Sequence, residues 1–259
     1  MNGQIFALAS DGTNVYAGGH FTEAGGAPAS KVAKWDGEKW SALGAGIIPV
    51  YEPNNWVGAV DSLAVSANTL FVGGRFRNAG GIAATNIARW DGTNWHALGN
   101  GLRYFDGSGS ENGVVRRLVV QKGCIFASGS FWRAGDVAAT NTARWDGQAW
   151  ASLSSGVNDG FVVSELALNG EDLYAGGVFM SVGGVAARRI DRWDGDQWWP
   201  LGSGVGQGRG EGVGALAGNG SELFVGGQFT TAGGKPSTNI ALWHIPHSVK
   251  ISSERMRCV

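Results

Sequence analysis

The chain has 259 residues, with 45 Gly and 12 Trp but only 6 Pro and 2 Cys. Glycine runs at more than double its average share of about 7%; no three-residue period exists and Pro is scarce, which excludes collagen, and 43% hydrophobic residues exclude disorder. Twenty Lys and Arg balance 21 Asp and Glu, so net charge recruits neither nucleic acid nor an anionic membrane.

The start, MNGQIFALASDG, has no basic segment and too short an apolar run for a signal peptide. The expectation is a cytoplasmic protein, or a mature or partial chain. No run of 18 apolar residues exists, so no membrane insertion by a helix is expected. Cys124 and Cys258 cannot build a disulfide framework.

In chain order, one set of elements appears five times. Repeat one opens with Ile5 and Leu8, then VYAGG, Phe21, Trp35-Asp36-Gly37 and Trp40. Repeat two has Val60 and Leu63, LFVGG, Phe76, Trp90-Asp91-Gly92 and Trp95. Repeats three and four follow through Val115, Leu118, Phe131, Trp145, Trp150 and Val163, Leu166, Phe179, Trp193, Trp198. Repeat five has Val213, Leu216, Phe229 and Trp243, then degenerates: Ser248 stands where a Trp is expected, although Ile251 keeps an apolar position in a weak fourth strand.

Spacing inside a repeat is fixed. The aligned Phe follows the opening Ile or Val by 16 residues and precedes the first Trp by 14, and the second Trp comes five later. Only the stretch from the second Trp to the next repeat varies, with lengths of 20, 20, 13 and 15. Length variation is tolerated in solvent loops, so repeat boundaries fall there. Each repeat reads as four strands. Strand A carries V-x-x-L, strand B ends in the double glycine, strand C ends in the first Trp, and strand D starts at the second. The Asp-Gly after the first Trp makes the C–D hairpin, and the double glycine is expected to serve tight turns and close backbone approach. No useful 3.6-residue period appears, so the fold is all-β. Four-stranded units of about 50 residues describe a β-propeller.

The hydrophobic run with double glycine, the Trp-Asp pair and the Trp five residues on resemble the Kelch repeat, with Trp35-Asp36 and its copies in the Tyr-Asp place. The phrases Gly18-Gly19-His20-Phe21-Thr22 and Gly226-Gly227-Gln228-Phe229-Thr230, and the tail W-x-x-L-G-x-G, are similar to repeats of bacterial surface propellers and of the fungal cortical protein Rax2. The resemblance implies a five-bladed Kelch-like β-propeller, or a fragment of a larger one, in a surface or extracellular setting, with a cytoplasmic one still open. WD40 is the rival, given four WD dipeptides, but Gly19-His20 occurs once and lies inside the double-glycine motif. The expected layout is a single propeller over 1–251, with blades at about 1–46, 57–101, 112–156, 160–204 and 211–251 and a tail at 252–259. The chain begins with strand A and ends with strand D, so ring closure would rest on face packing between repeats one and five.

In such a blade the B–C and D–A loops share one face, and the off-pattern aromatics fall there. The binding candidates are Tyr51, Trp56, Arg77, Arg103, Tyr104, Phe105, Trp132 and Arg133, a combination suited to a protein or glycan contact. The alternative is that these loops bury their own aromatics. Recurrent Trp residues read as core, and Asp36, Asp91, Asp146 and Asp194 as turn residues.

Enzyme signatures are sparse. The copper site of the galactose oxidase group needs Tyr, His and a Tyr–Cys crosslink, for which only Tyr51 and Tyr104 lie outside strand B positions. His20, His96, His244 and His247 lack metal-binding spacing, and GQGRGEG at 206–212 lacks a P-loop ending. No catalytic residue, metal or cofactor is assigned. Asp106, Ser108, Ser110 and Glu111 alternate as in a calcium loop, but a solvated loop is the simpler reading. Asp61, Arg116, Arg117 and Glu165 are off-pattern in strand A, where they either line a charged channel or pair with one another. The expected function is a non-enzymatic binding or scaffold propeller, a monomer or part of a larger chain. The alternatives are a carbohydrate-active enzyme, which needs two converging carboxylates, and a structural spacer.

Overall fold

The structure, a computed structural model, describes residues 1–48, 58–104, 113–154, 156, 162–206, 208 and 210–245. Every regular element among them is a β-strand. In repeat one, strand A (Gln4–Ser10), B (Val15–His20), C (Val32–Trp35) and D (Trp40–Ala42) lie side by side in that order, all antiparallel. Repeat two repeats the order with Val60–Ser66, Thr69–Gly74, Ile87–Trp90 and Trp95–Ala97. So does repeat four, with Val162–Asn169, Asp172–Val178, Ile190–Trp193 and Trp198–Pro200. Repeat five shows A (Gly212–Gly218), B (Glu222–Gln228) and C (Ile240–His244). The fourth strand expected at Ser248–Ile251 lies outside the described residues.

The chain divides into two compact units. The first holds Met1–Val120, Phe131–Ala138 and Gln148–Trp150; the second holds Gln121–Ser130, Ala139–Gly147 and Ala151–Val259. Repeat three is therefore shared. Strand A (Val114–Gln121) belongs to the first unit up to Val120, and B (Cys124–Ser130) and C (Thr142–Trp145) pair within the second.

The C–D hairpins form as the Asp-Gly dipeptide dictates. The Asp36 carboxylate accepts from the backbone N–H groups of Glu38 and Lys39 at 3.0 and 2.8 Å, and Asp91 and Asp194 do the same in their repeats. The following glycine supplies the left-handed backbone, with φ of 100° at Gly37. The turn role expected for the double glycine of strand B is corrected, because those residues are extended strand. A Cβ on Gly18 would lie 2.4 Å from Val60 Cγ1, and one on Gly19 would lie 2.1 Å from the Gln4 carbonyl. They are there for close approach, one to the next repeat and one to the neighbouring strand.

Two further elements join the repeats. The B–C connection is a small hairpin of its own, Asn78–Ala79 against Ile82–Ala83 in repeat two. The tail after strand D pairs with it: Ile47–Ile48 of repeat one lies on Asn78–Ala79, and Leu102–Arg103 of repeat two lies on Arg133–Ala134. In the second unit Val205 bridges Ala232 in the same way. The second Trp of repeats two, three and four then reaches back. Trp95 Nε1 donates to the Leu43 carbonyl at 2.8 Å, Trp150 to Leu98 at 2.8 Å, and Trp198 to Leu153 at 3.1 Å. The five aligned Phe residues are all buried, at 2% exposure or less. The second Trp residues Trp95, Trp150 and Trp198 are core, as expected from their recurrence, whereas Trp40, Trp35 and Trp90 are half-buried.

Candidate functional site

The first unit gathers four of the expected binding residues around one small sheet. Arg103 and Arg133 are register partners between the repeat-two tail and the repeat-three hairpin. The next residue on one side is Tyr104 and the preceding one on the other is Trp132, and their rings meet at 4.5 Å and 45°. The Trp132 N–H donates to the Arg103 carbonyl at 2.8 Å, which fixes the two backbones against each other. Trp132 is 45% exposed and Arg133 is exposed, while Tyr104 and Arg103 are half-buried.

The arginines are tethered at the hairpin tip. Arg103 Nη2 donates to the Gly135 carbonyl at 2.8 Å and stands 3.6 Å from Asp136 Oδ1, and Arg133 Nη1 donates to the Asp136 carbonyl at 3.2 Å. Asn100 Nδ2 holds the same Asp136 oxygen at 2.8 Å. The result is an aromatic pair with one open ring, framed by anchored cations. Arg77 occupies the position of Trp132 on the equivalent hairpin one repeat earlier, half-buried, its carbonyl bonded to Ala84 N–H at 2.8 Å. Tyr51, Trp56 and Phe105 lie outside the described residues, as do Asp106, Ser108, Ser110 and Glu111 of the calcium-like loop.

A second feature of the first unit lies where strands B end and strands A begin. A cavity of about 210 Å³ is lined by Phe6, His20, Ala59, Asp61, Arg75, Val114 and Arg116. Strand A carries a bulge just after its opening Ile or Val, between Ile5 and Ala7 and again between Val60 and Ser62. Bulges re-aim side chains, and here the bulged positions, Phe6 and Asp61, line the cavity. Burial pushes the Asp61 carboxyl up, against the opposing pull of the Arg116 and Arg75 guanidiniums. Two arginines to one carboxylate leave the cavity net cationic, with apolar walls.

Asp61 and Arg116 were visible in the sequence as strand A exceptions, but His20 and Arg75 were missed. Their signal is a free position in a fixed frame. The residue after the double glycine is His20, Arg75, Ser130, Val178 or Gln228, whereas its neighbours barely change. In the second unit the off-pattern Trp199 is 43% exposed and donates from Nε1 to Asp194 Oδ2 at 2.8 Å. Among the described residues no three His, Cys, Asp or Glu side chains group as a metal-ligand set.

No family model matches the chain, and no curated protein matches it. Solved structures do. The chain is similar to a chain of the nidogen/laminin complex, with a TM-score of 0.51 and 15% identity over 87% of this chain and 73% of that one. It is similar to an extracellular domain assigned to a one-component system, BT4673, of B. thetaiotaomicron, with a TM-score of 0.50 and 12% identity over 95% of this chain. The WD40 β-propeller domain of Doa1 gives a TM-score of 0.49 and 13% identity over 86% of this chain. The repeated antiparallel sheets and the likeness to the nidogen/laminin chain put the fold in the β-propeller repeat class. Identities this low speak to fold alone. The chain spans 28% of the BT4673 chain and 62% of the Doa1 chain.

Proposed function

We propose that the chain is a non-enzymatic binding module, a five-bladed Kelch-like propeller or a five-blade piece of a larger one, that holds a protein partner on its B–C/D–A face. The observation that carries this reading is the Tyr104–Trp132 pair. Its rings meet at a tilt and are backbone-anchored, yet Trp132 is left 45% exposed. A large aromatic presented on a rigid hairpin loses little freedom on binding, which is the property of interface anchors. The net cationic cavity at the start of strands A favours a partner segment carrying a carboxylate beside an apolar group. An extracellular or cell-surface setting goes with this reading by resemblance of the repeats.

The test is a selection of displayed peptides against the full chain, followed by titration of the selected peptide with Trp132→Ala and Arg116→Ala variants. Tenfold or greater weakening by either variant, with unchanged melting, supports the reading. A selection that enriches nothing, or a peptide that both variants bind normally, overturns it. Binding on a glycan array without any selected peptide would move the same face to carbohydrate.

A further inference from the structure

Strands B and C present two faces in every repeat. The first glycine of the strand B pair is the register partner of the residue three before the first Trp: Gly18 with Val32, Gly73 with Ile87 and Gly176 with Ile190. Register partners share one face of a sheet. That face points to the following repeat, since a Cβ on Gly18 would lie 2.4 Å from Val60, one on Gly73 2.6 Å from Val115 and one on Gly176 2.5 Å from Val213. The opposite face carries the partners Val72 with Ala88 and Val225 with Ala241, and it points to the preceding repeat. Val32 of repeat one packs in one cluster with Val72 and Ala88, and Ile190 of repeat four in another with Val225 and Ala241.

The joint between repeats three and four breaks this apolar pattern on both sides at once. On repeat three the forward pair is Ser128 and Thr142. On repeat four the alanine position facing it is Asp191, the partner of Ala175. All three residues belong to the second unit and are fully buried. Among the described residues none bonds Ser128 Oγ, Thr142 Oγ1 or Asp191 Oδ2, while Asp191 Oδ1 accepts from the Arg192 N–H at 2.9 Å. Native interiors leave few buried polar atoms unpaired, so three on two facing surfaces call for a shared partner. Ser128 also makes room for one. Its Cβ stands where the other repeats have a glycine against a valine, and Val163 is the equivalent valine here. The two sheets therefore cannot close to the usual contact beside it.

We propose that this joint is a built internal water site, in which one ordered water links the Asp191 carboxyl to the Ser128 and Thr142 hydroxyls. A buried water makes about three hydrogen bonds, and it both donates and accepts, which suits a carboxyl and two hydroxyls together. A hard cation such as Ca²⁺ takes about six to eight oxygens, and here one of the two carboxylate oxygens is already engaged by backbone. The water keys repeat three to repeat four, two members of a series whose packing residues are otherwise nearly interchangeable.

The experiment has two parts on the full chain. A high-resolution crystal structure should show a water about 2.6–3.2 Å from Asp191 Oδ2 and from at least one of the two hydroxyls. A direct carboxyl–hydroxyl bond with nothing between overturns the proposal. So does an ion at the shorter distances of a coordinated cation, accompanied by melting that rises with that cation alone. The second part measures urea midpoints at pH 5 for Thr142→Val, Asp191→Ala and the double variant, because partners of one water lose it together. The shift of the double variant should differ clearly from the sum of the single shifts, and additive shifts overturn the shared site. The wild-type crystal structure decides the matter even where a variant fails to fold.

Discussion

The indole N–H of Trp95 is bonded to the carbonyl of Leu43, a residue of the preceding repeat, at 2.8 Å. Trp95 is 7% exposed, and its ring also packs at 5.4 Å against Trp90 of its own hairpin. One side chain thus links strand C, strand D and the neighbouring repeat. Trp95→Phe removes the donor and strands a buried carbonyl, which costs about 1–3 kcal/mol. Trp95→Ala adds a cavity and costs about 3–5 kcal/mol. Half-buried Trp40, at the same place in repeat one, should tolerate Ala with a smaller loss. Urea melts followed by tryptophan fluorescence and circular dichroism would measure all three. An Ala variant at 95 within about 1 kcal/mol of wild type would contradict the coupling role.

Glycine in the tail after strand D faces a harder constraint than glycine in an ordinary turn. Gly101 has φ of 73°, and a Cβ there would lie 2.2 Å from the Thr85 carbonyl oxygen. Gly12 has φ of 91° with open space around it. Gly12→Ala should therefore cost only the left-handed strain, about 1–2 kcal/mol. Gly101→Ala must also displace the tail from its pairing, and it should lower the melting temperature further. Equal shifts for the two variants would remove the steric argument.

The residue before strand C takes a left-handed backbone in every repeat: Lys31, Asn86, Asn141, Arg189 and Asn239, with φ of 63–66°. Asparagine suits that conformation. Asn86 also uses its amide, accepting from Phe76 N–H at 3.0 Å and donating to the Leu102 carbonyl at 2.7 Å. Lys31 makes neither bond, and its burial pulls its ammonium below the ordinary lysine range. Lys31→Asn should raise stability by about 1 kcal/mol, read as a higher urea midpoint with unchanged slope. A lower midpoint would mean that the lysine stem packs better than the amide bonds.

Strand C carries alanine at one position in four repeats, Ala33, Ala88, Ala143 and Ala241, and aspartate at Asp191 in repeat four. Asp191 is fully buried, and its Oδ2 has no partner. Ser128, Thr142 and Tyr174 of the same unit also hold buried hydroxyls without one. Burial pushes the Asp191 carboxyl up to about 7, against hydrogen bonding from the Arg192 N–H and the Arg192 charge. The unfolded carboxyl releases its proton near its ordinary value of 3.8. Between these values the folded state holds more protons, so this contribution is complete below about pH 4, declines as pH rises, and is gone above about pH 7. The slope approaches ~1.4 kcal/mol per pH unit. Asp191→Ala should flatten that dependence and stabilise the chain above pH 7. Stability profiles of the two proteins that run parallel from pH 4 to 8 would refute it.

Strands A to D were legible because their landmarks recur at fixed spacing, and strands A and B are also long enough to show alternation or an apolar run. The tail segments Ile47–Ile48 and Leu102–Arg103 were not, since two residues carry no period. Their existence depends on a partner hairpin one repeat away. For the glycines of strand B the close approach was legible and the turn role was misread, because glycine marks both and only the neighbours distinguish them. At the candidate site, Trp132 and Tyr104 stood out as departures from the pattern, and the structure brings their rings together. Arg75 and His20 did not stand out, since a freely varying position looks like tolerance until a cavity is seen beside it.

The tail pairing has a consequence for how such a chain can change. Because Gly46, Gly101 and Gly204 are already bonded to the following hairpin through Gly80, Gly135 and Gly233, the alignment of adjacent repeats is secured before the variable stretch begins. That stretch runs between residues that are themselves held in sheets. Its length and composition can be rewritten as a cassette while the sheets beneath keep their register, which makes the D–A segments of this chain a natural site for grafting foreign recognition loops.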